Sequence, residues 1–321
     1  MTYSAGSLII DDDYNIFATG NAAGTGDNNV ANINTIWGVG TLDKGYGQST
    51  TISPVSAGAT VTATQWATLF TRLTSIANHT GVSITALTNP VAGDLIAVKS
   101  ELQNDITNCF NDRNWAAGVG STITTGGVAT RSTSWVTALT ATHTITFASA
   151  NAARYFFNAG GRVTWAGART GGTSDPKNTG WTNFLTACGT LNWTTGTGSQ
   201  VIAGTSYNGT TKIGGSGSPT TLLSDVGFYD FTTSNQEVFK QFSSAYLYET
   251  NYVSINVQTN AAAGSATTIT LTVLFDDAHS TQGDEPIDGT LTSTVTLVQP
   301  STTYLTNTWG TPTISSSITG S

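Results

Sequence analysis

The chain has 321 residues, enough for about two domains and a sizeable core, and only 9% of them are charged, against roughly 25% in an ordinary soluble protein. Thr, Ser, Asn and Gly take the place of the missing charges, and a content of 38% hydrophobic and 9% aromatic residues excludes general disorder. With a net charge of −8 and thinly spread Lys and Arg the chain has no nucleic-acid grip, and no run of about 20 apolar residues is present to span a membrane.

Residues 1–62 read as irregular or short-stranded. Gly45 and Gly47 flank Tyr46, which suggests a tight loop with the ring pinned. The third glycine, leading strand and following helix of a nucleotide fingerprint are missing. A helix follows, capped by Thr64 or Thr62, because Trp66, Leu69, Phe70, Leu73 and Ile76 fall on one stripe. His79-Thr-Gly81 ends it. A second helix is expected from near Asp94, with Leu95, Val98, Leu102, Ile106, Cys109 and Phe110 on its apolar face.

From Gly118 onward the apolar period changes to two. Ser121–Gly127 reads as a loop, and the shift in composition places a boundary there. The expected division is an N-terminal two-helix docking module over 1–118 and a β-rich domain over 119–321. Strands are expected at 143–148, 161–169, 189–195, 201–207, 221–231, 246–258, 267–276 and 291–299. Ile269, Leu271, Val273 and Phe275 face inward against Thr268, Thr270, Thr272 and Leu274; Leu291, Val295 and Leu297 repeat the pattern. Tyr155-Phe-Phe-Asn-Ala-Gly-Gly161 reads as a hairpin-like core with a glycine corner, leading to a strand with Val163 and Trp165 on one face. A short helix is expected over 178–189, with Trp181, Leu185 and Cys188 on one side. The fold class is therefore mainly β, a sandwich or barrel-like domain preceded by an N-terminal module with two helices.

Chemistry finds little to rest on. Cys109 and Cys188 do not make a disulfide scaffold and read as buried thiols, while His79, His143 and His279 show no partner spacing. Asp11-Asp-Asp13 could ligate a cation, yet consecutive residues point in different directions. Asp276, Asp277, Asp284, Glu285 and Asp288 surround a loop in a stretch that carries no Lys or Arg from Gln241 to Ser321, so Ca²⁺ could be held there, but the spacing matches no calcium loop. Asp225 with Asp230, or Glu237 with Glu249, has only abundance to recommend it as a glycosidase pair. No catalytic residue, metal or cofactor is expected. Tyr246, Tyr248 and Tyr252 alternate along one expected strand and, with Trp309, form the candidate surface for stacking glycan rings.

The composition suits an extracellular or particle-surface protein, yet the N-terminus lacks the basic and apolar regions of a secretory signal. A virion protein made in a host cytoplasm reconciles the two. Several segments point the same way: Gly45-Tyr-Gly-Gln48, Val55-Ser-Ala-Gly58, Gln65-Trp66, Ile145–Asn151, Arg154-Tyr-Phe-Phe-Asn-Ala-Gly-Gly161 and Asn178-Thr-Gly-Trp181 continuing to Cys188-Gly189. In this order, over residues 40–195, they resemble structural proteins of tailed phages, particularly those infecting cyanobacteria and other aquatic bacteria. The resemblance implies a tail-, neck- or fibre-associated virion protein that assembles with copies of itself, as a trimer or another symmetric oligomer, and with other tail or neck proteins. It implies no catalytic residues. Host-surface glycan is the further expected partner. The alternative reading is a carbohydrate-binding or polysaccharide-degrading β-protein without a particle.

Overall fold

A computed structural model describes residues 11–89, 99–245, 247–262, 264–279 and 285–320. Four helices come first: α1 (Asp11–Thr19), α2 (Ile33–Trp37), α3 (Ala63–Thr80) and α4 (Lys99–Asn111). Then β1 (Val119–Ile123), β2 (Val128–Arg131) and β3 (Ala138–Thr146) lead to α5 (Ala150–Asn158), β4 (Arg162–Thr170) and α6 (Pro176–Cys188). Short strands follow: β5 (Thr190–Trp193), β6 (Gln200–Ile202), β7 (Thr205–Tyr207), β8 (Thr210–Ile213) and β9 (Thr221–Leu222). The chain ends in β10 (Gln236–Phe242), β11 (Tyr252–Thr259), β12 (Thr268–Asp276), β13 (Thr290–Pro300) and β14 (Thr313–Gly320). The mainly β reading holds, and among the described residues no helix is long and apolar enough to cross a membrane.

The strands pair into two six-stranded antiparallel sheets and a β6–β7 ribbon. The first sheet runs β1-β13-β4-β5-β8, with β2 also on β13; the second runs β14-β3-β12-β11-β10-β9. They face each other as a sandwich and do not close into a barrel. Strict alternation explains the inner faces: Ile269, Leu271, Val273 and Phe275 are buried on β12, and Leu291, Val295 and Leu297 on β13. Trp165 of β4 meets Phe275 across the gap, with ring centroids 6.3 Å apart.

One polar chain crosses this interior. Trp165 Nε1 donates to Ser293 Oγ at 2.8 Å, and Ser293 Oγ lies 2.8 Å from His143 Nε2. His143 Nδ1 lies 2.7 Å from Ser316 Oγ, which donates to the Gly126 carbonyl at 2.7 Å. Because Ser316 spends its proton on Gly126, it accepts from Nδ1–H. Ser293 then donates to Nε2, so His143 is the neutral Nδ1–H tautomer. From Trp165 Nε1 to the Gly126 carbonyl each side-chain group in this series has its partner, and the series links both sheets.

Helix starts follow their capping chemistry. Thr62 caps α3, and Gln65 completes a capping box with it. Trp66, Leu69, Phe70, Leu73 and Ile76 are buried as the stripe requires. Asp175 caps α6, with Pro176 at its first position, and Trp181, Leu185 and Cys188 are buried on it. Leu102, Ile106 and Cys109 of α4 are buried, while the expected start near Asp94, with Leu95 and Val98, lies outside the described residues.

Several expectations change. Residues 150–158 are a helix, not the arm of a hairpin: Ser149 Oγ caps it by accepting from Ala152 N at 3.1 Å, and every side from Ala152 to Asn158 is buried. The region before Thr62 contains α1 and α2 instead of short strands. Within 121–127 the loop shrinks to a turn at Thr124–Gly127, where Gly127 N bonds the Thr124 carbonyl at 2.9 Å, because β1 and β2 both find partners on β13. Only Thr221–Leu222 of 221–231 is strand; beyond it Gly227 packs against the backbone of Thr194–Gly196, and Phe228 and Phe231 turn inward.

Segments carrying the sequence resemblance touch one another. Arg154 donates to the carbonyls of Val39, Leu42 and Lys44, and Asn158 Nδ2 donates to those of Leu42 and Gly45. Gly47 lies against the ring of Tyr155, and a Cβ there would collide with it. Phe157 stacks on Phe228 at 4.4 Å. The arginine and aromatics of this stretch clamp the loop at 38–47 onto the sandwich, which is structural work.

Candidate functional site

The outer face of the second sheet is built by register. One row across the strands is Phe242, Tyr252, Asp276 and Ala138; the next is Lys240, Ser254, Leu274, Thr140 and Thr319. Further rows add Asn256, Thr272 and Thr142, then Gln258, Thr270 and Thr144. Strands about 4.8 Å apart, with same-face residues about 6.8 Å apart along each, make this a regular hydrogen-bonding floor. Its threonines on β3 and β12 are half-exposed and uncharged.

At one end an aromatic and charged cluster interrupts the floor. Phe242 is 38% exposed, and its ring lies 5.3 Å from that of Tyr252. Lys240 Nζ sits 3.9 Å from the Tyr252 centroid and 5.1 Å from that of Phe242, a cation–π arrangement. The Tyr252 hydroxyl is pushed up to about 12, first by its hydrogen bond to the Asp276 carboxylate, then by burial and the charges of Asp276 and Glu237. It therefore remains a phenol donor. The ammonium occupies one face of Tyr252, leaving Phe242 as the ring open for stacking, with Asp276 and Lys240 as acceptor and donor beside it.

This differs from the surface expected from sequence. Tyr252 is half-buried and belongs to the cluster. Tyr248 does not share its strand, because residues 243–251 reverse direction between β10 and β11, with Ser243 N bonding the Asn251 carbonyl at 2.8 Å. Its ring instead packs edge-on to His279 at 4.9 Å and beside Gly180 of α6. Tyr246 lies outside the described residues. Trp309 is 1% exposed and part of the core, not of the surface. Phe242 and Lys240 were missed, since only strand pairing brings them to Tyr252.

The acidic groups find local partners. Asp11, Asp12 and Asp13 form the first turn of α1, where carboxylates suit the helix dipole; Asp11 Oδ2 also accepts from Gly58 N at 3.0 Å. In the 276–289 loop, Asp288 pairs with Arg169 at 2.8 Å and Asp277 with Lys177 at 2.5 Å. The expectation of a cation-free loop is thus corrected: β4 and α6 bring the cations that the local sequence lacks. Asp284 lies outside the described residues. Asp225 accepts from Asn208 at 2.6 Å, Asp230 from Gly227 N at 3.0 Å and Glu237 from Thr221 at 2.7 Å; Glu249 is exposed in the β10–β11 loop. Among the described residues no three His, Cys, Asp or Glu side chains gather as a metal site. Cys109 and Cys188 are free and buried, and burial is the chief reason both thiols are pushed up to about 12, where they are inert.

No protein-family model matches this chain, and neither curated proteins nor solved structures yield a match to it.

Proposed function

We propose that this chain is a structural protein of a tailed-phage particle, in the tail, neck or fibre apparatus, which assembles with copies of itself and meets host-surface glycan. The observation that carries the reading is the ordered resemblance over residues 40–195. Its most specific part, the Phe-Asn-Ala-Gly-Gly core within Arg154–Gly161, belongs to a segment in contact with another, Gly45–Gln48. A charge-poor sandwich clamped to a helical module is suited to repeated contacts in an assembly, and the threonine floor with Phe242 at its end is suited to sugars.

Electron microscopy of purified virions, with an antibody to this chain, tests the first part: the expected result is label at one defined tail or neck position. Light scattering of the purified chain tests self-association. A monomer that binds or cleaves polysaccharide would favour the alternative, a carbohydrate-active β-protein without a particle. For the glycan contact, Phe242→Ser is expected to weaken binding to host cell-surface polysaccharide about tenfold, ~1.4 kcal/mol. Because Phe242 is exposed, the unfolding temperature should move by no more than about 3 °C. Unchanged affinity would remove the cluster from the reading.

A further inference from the structure

Lys177 and Asp277 bring opposite charges into the interior. Lys177 lies in the first turn of α6, which packs on β4 of the first sheet, and Asp277 directly follows β12 of the second. Their side chains are 3% and 0% exposed, and Nζ lies 2.5 Å from Oδ2, closer than the roughly 2.7–2.9 Å usual for an ammonium and a carboxylate. Nζ also donates to the Glu285 carbonyl at 3.0 Å. Asn251 Nδ2 donates to the other carboxylate oxygen, Oδ1, at 2.7 Å, and Asn251 is itself 1% exposed.

We propose that Lys177 and Asp277 condense spontaneously into an isopeptide bond that joins the two layers of the sandwich. Two desolvated charges are costly in such a place, and a low dielectric favours their neutral forms, an amine and a carboxylic acid. One proton passes from Nζ to Oδ2. The neutral nitrogen then adds to Cγ, and negative charge gathers on Oδ1, where the Asn251 N–H already points. A second proton passes from Nζ to Oδ2, which leaves as water while the carbonyl re-forms at Oδ1. Of the three ammonium hydrogens, two depart in the water and one remains on the amide. A C–N bond replaces a C–O bond, with no change of oxidation state and no co-reactant. Holding the two groups in contact supplies the proximity that an uncatalysed amide condensation lacks.

The surroundings match the product. A secondary amide needs one acceptor for its N–H and one donor for its carbonyl, and the Glu285 carbonyl and the Asn251 amide stand in those places. The bond would also remove both buried charges together. It would tie α6 to the end of β12 covalently, a useful property in any protein under mechanical load, and it holds or fails independently of where the chain acts.

Intact-mass spectrometry of the full-length chain is the test. The expected mass is one water below that of the sequence, and proteolysis should release a branched peptide joining the Lys177 segment to the Asp277 segment, which separates the cross-link from a cyclised aspartate. Lys177 should resist amine-reactive label after full denaturation. Asp277→Asn is expected to form the same bond with loss of ammonia, and Lys177→Met, which fills similar apolar space, to show its full mass. Wild-type protein at its full sequence mass, with Lys177 labelled after denaturation, would overturn the proposal whatever the variants do.

Discussion

Lowering the pH from 7 to 4 is expected to reduce the unfolding free energy by roughly 3 kcal/mol for each of two buried histidines. His79 and His143 are 2% and 0% exposed, and burial holds both down to about 4 from an ordinary 6.5. The unfolded chain takes up these protons near pH 6.5, while the folded chain refuses them until about pH 4. Their contribution is therefore complete above pH 6.5, is lost progressively as pH falls through that window, and is gone below the folded value. Among the described residues the rings meet neutral groups: His79 meets the Ala159 carbonyl at 3.2 Å and the Tyr46 ring, and His143 meets Ser293 and Ser316. Protonating His143 would put an N–H where Ser293 already donates, and would reverse part of the chain from Trp165 to Gly126. A native domain has only about 5–15 kcal/mol in hand, so denaturant titrations at pH 7, 6, 5 and 4 should show the midpoint falling steeply. His143→Gln, which can bond serines but cannot titrate, should remove about half of that slope. A midpoint flat from pH 6.5 to 4 would contradict the account.

That polar chain also shows where the sequence could be read and where it could not. β12 and β13 were legible because Ile, Leu, Val and Phe alternate there with Thr, a period that Leu274 on the outer face and Ser293 on the inner face do not obscure. α3 was legible because its stripe and its Thr62–Gln65 cap agree. The helix α5 was not, although Asn151, Arg154 and Asn158 fall at i, i+3 and i+7: the stripe covers only two turns, and the consecutive rings of Tyr155-Phe-Phe157 look like a strand, while all sides from Ala152 to Asn158 are buried. β14 carries only Ile314 and Ile318 among serines and threonines, and it becomes a strand through its pairing with β3. β10 has a bulge between Glu237 and Phe239 that breaks its alternation. The candidate surface suffers from the same limit. Tyr252 can be picked out from the chain, but Lys240 and Phe242 reach it across a strand pair, and the cations that meet Asp277 and Asp288 are Lys177 and Arg169, 100 and 119 residues earlier. Trp309 carried no signal that separates a buried ring from an exposed one.

Gly160→Val is expected to destabilise the protein by more than about 4 kcal/mol, leaving it insoluble or without fixed tertiary packing. Two adjacent glycines turn the chain from α5 into β4, for different reasons. Gly160 sits at φ +85°, where a β-branched residue is a genuine outlier, and a Cβ there would lie 2.6 Å from that of Ala116. Ala116 cannot yield, because its N–H bonds the Val201 carbonyl at 3.0 Å and its carbonyl accepts from Ala203 N at 2.8 Å. Gly161 has no positive φ; a Cβ there would lie 2.5 Å from the Phe156 carbonyl oxygen and 2.8 Å from its ring. The corner sets the register in which Val163 and Trp165 enter the sandwich, and Trp165 begins the hydrogen-bond chain to His143. The steric and conformational parts can be separated. Gly160→Ala should be destabilised by both, and adding Ala116→Gly should recover the collision while leaving the strain of positive φ, a coupling of about 1 kcal/mol or more between the two sites. Additive changes would mean that Ala116 does not oppose the new methyl, and a Gly160→Val protein with the parental denaturation midpoint would mean that the corner tolerates a side chain after all. The expected loss is of folding, since both glycines are buried at the junction of α5 and β4.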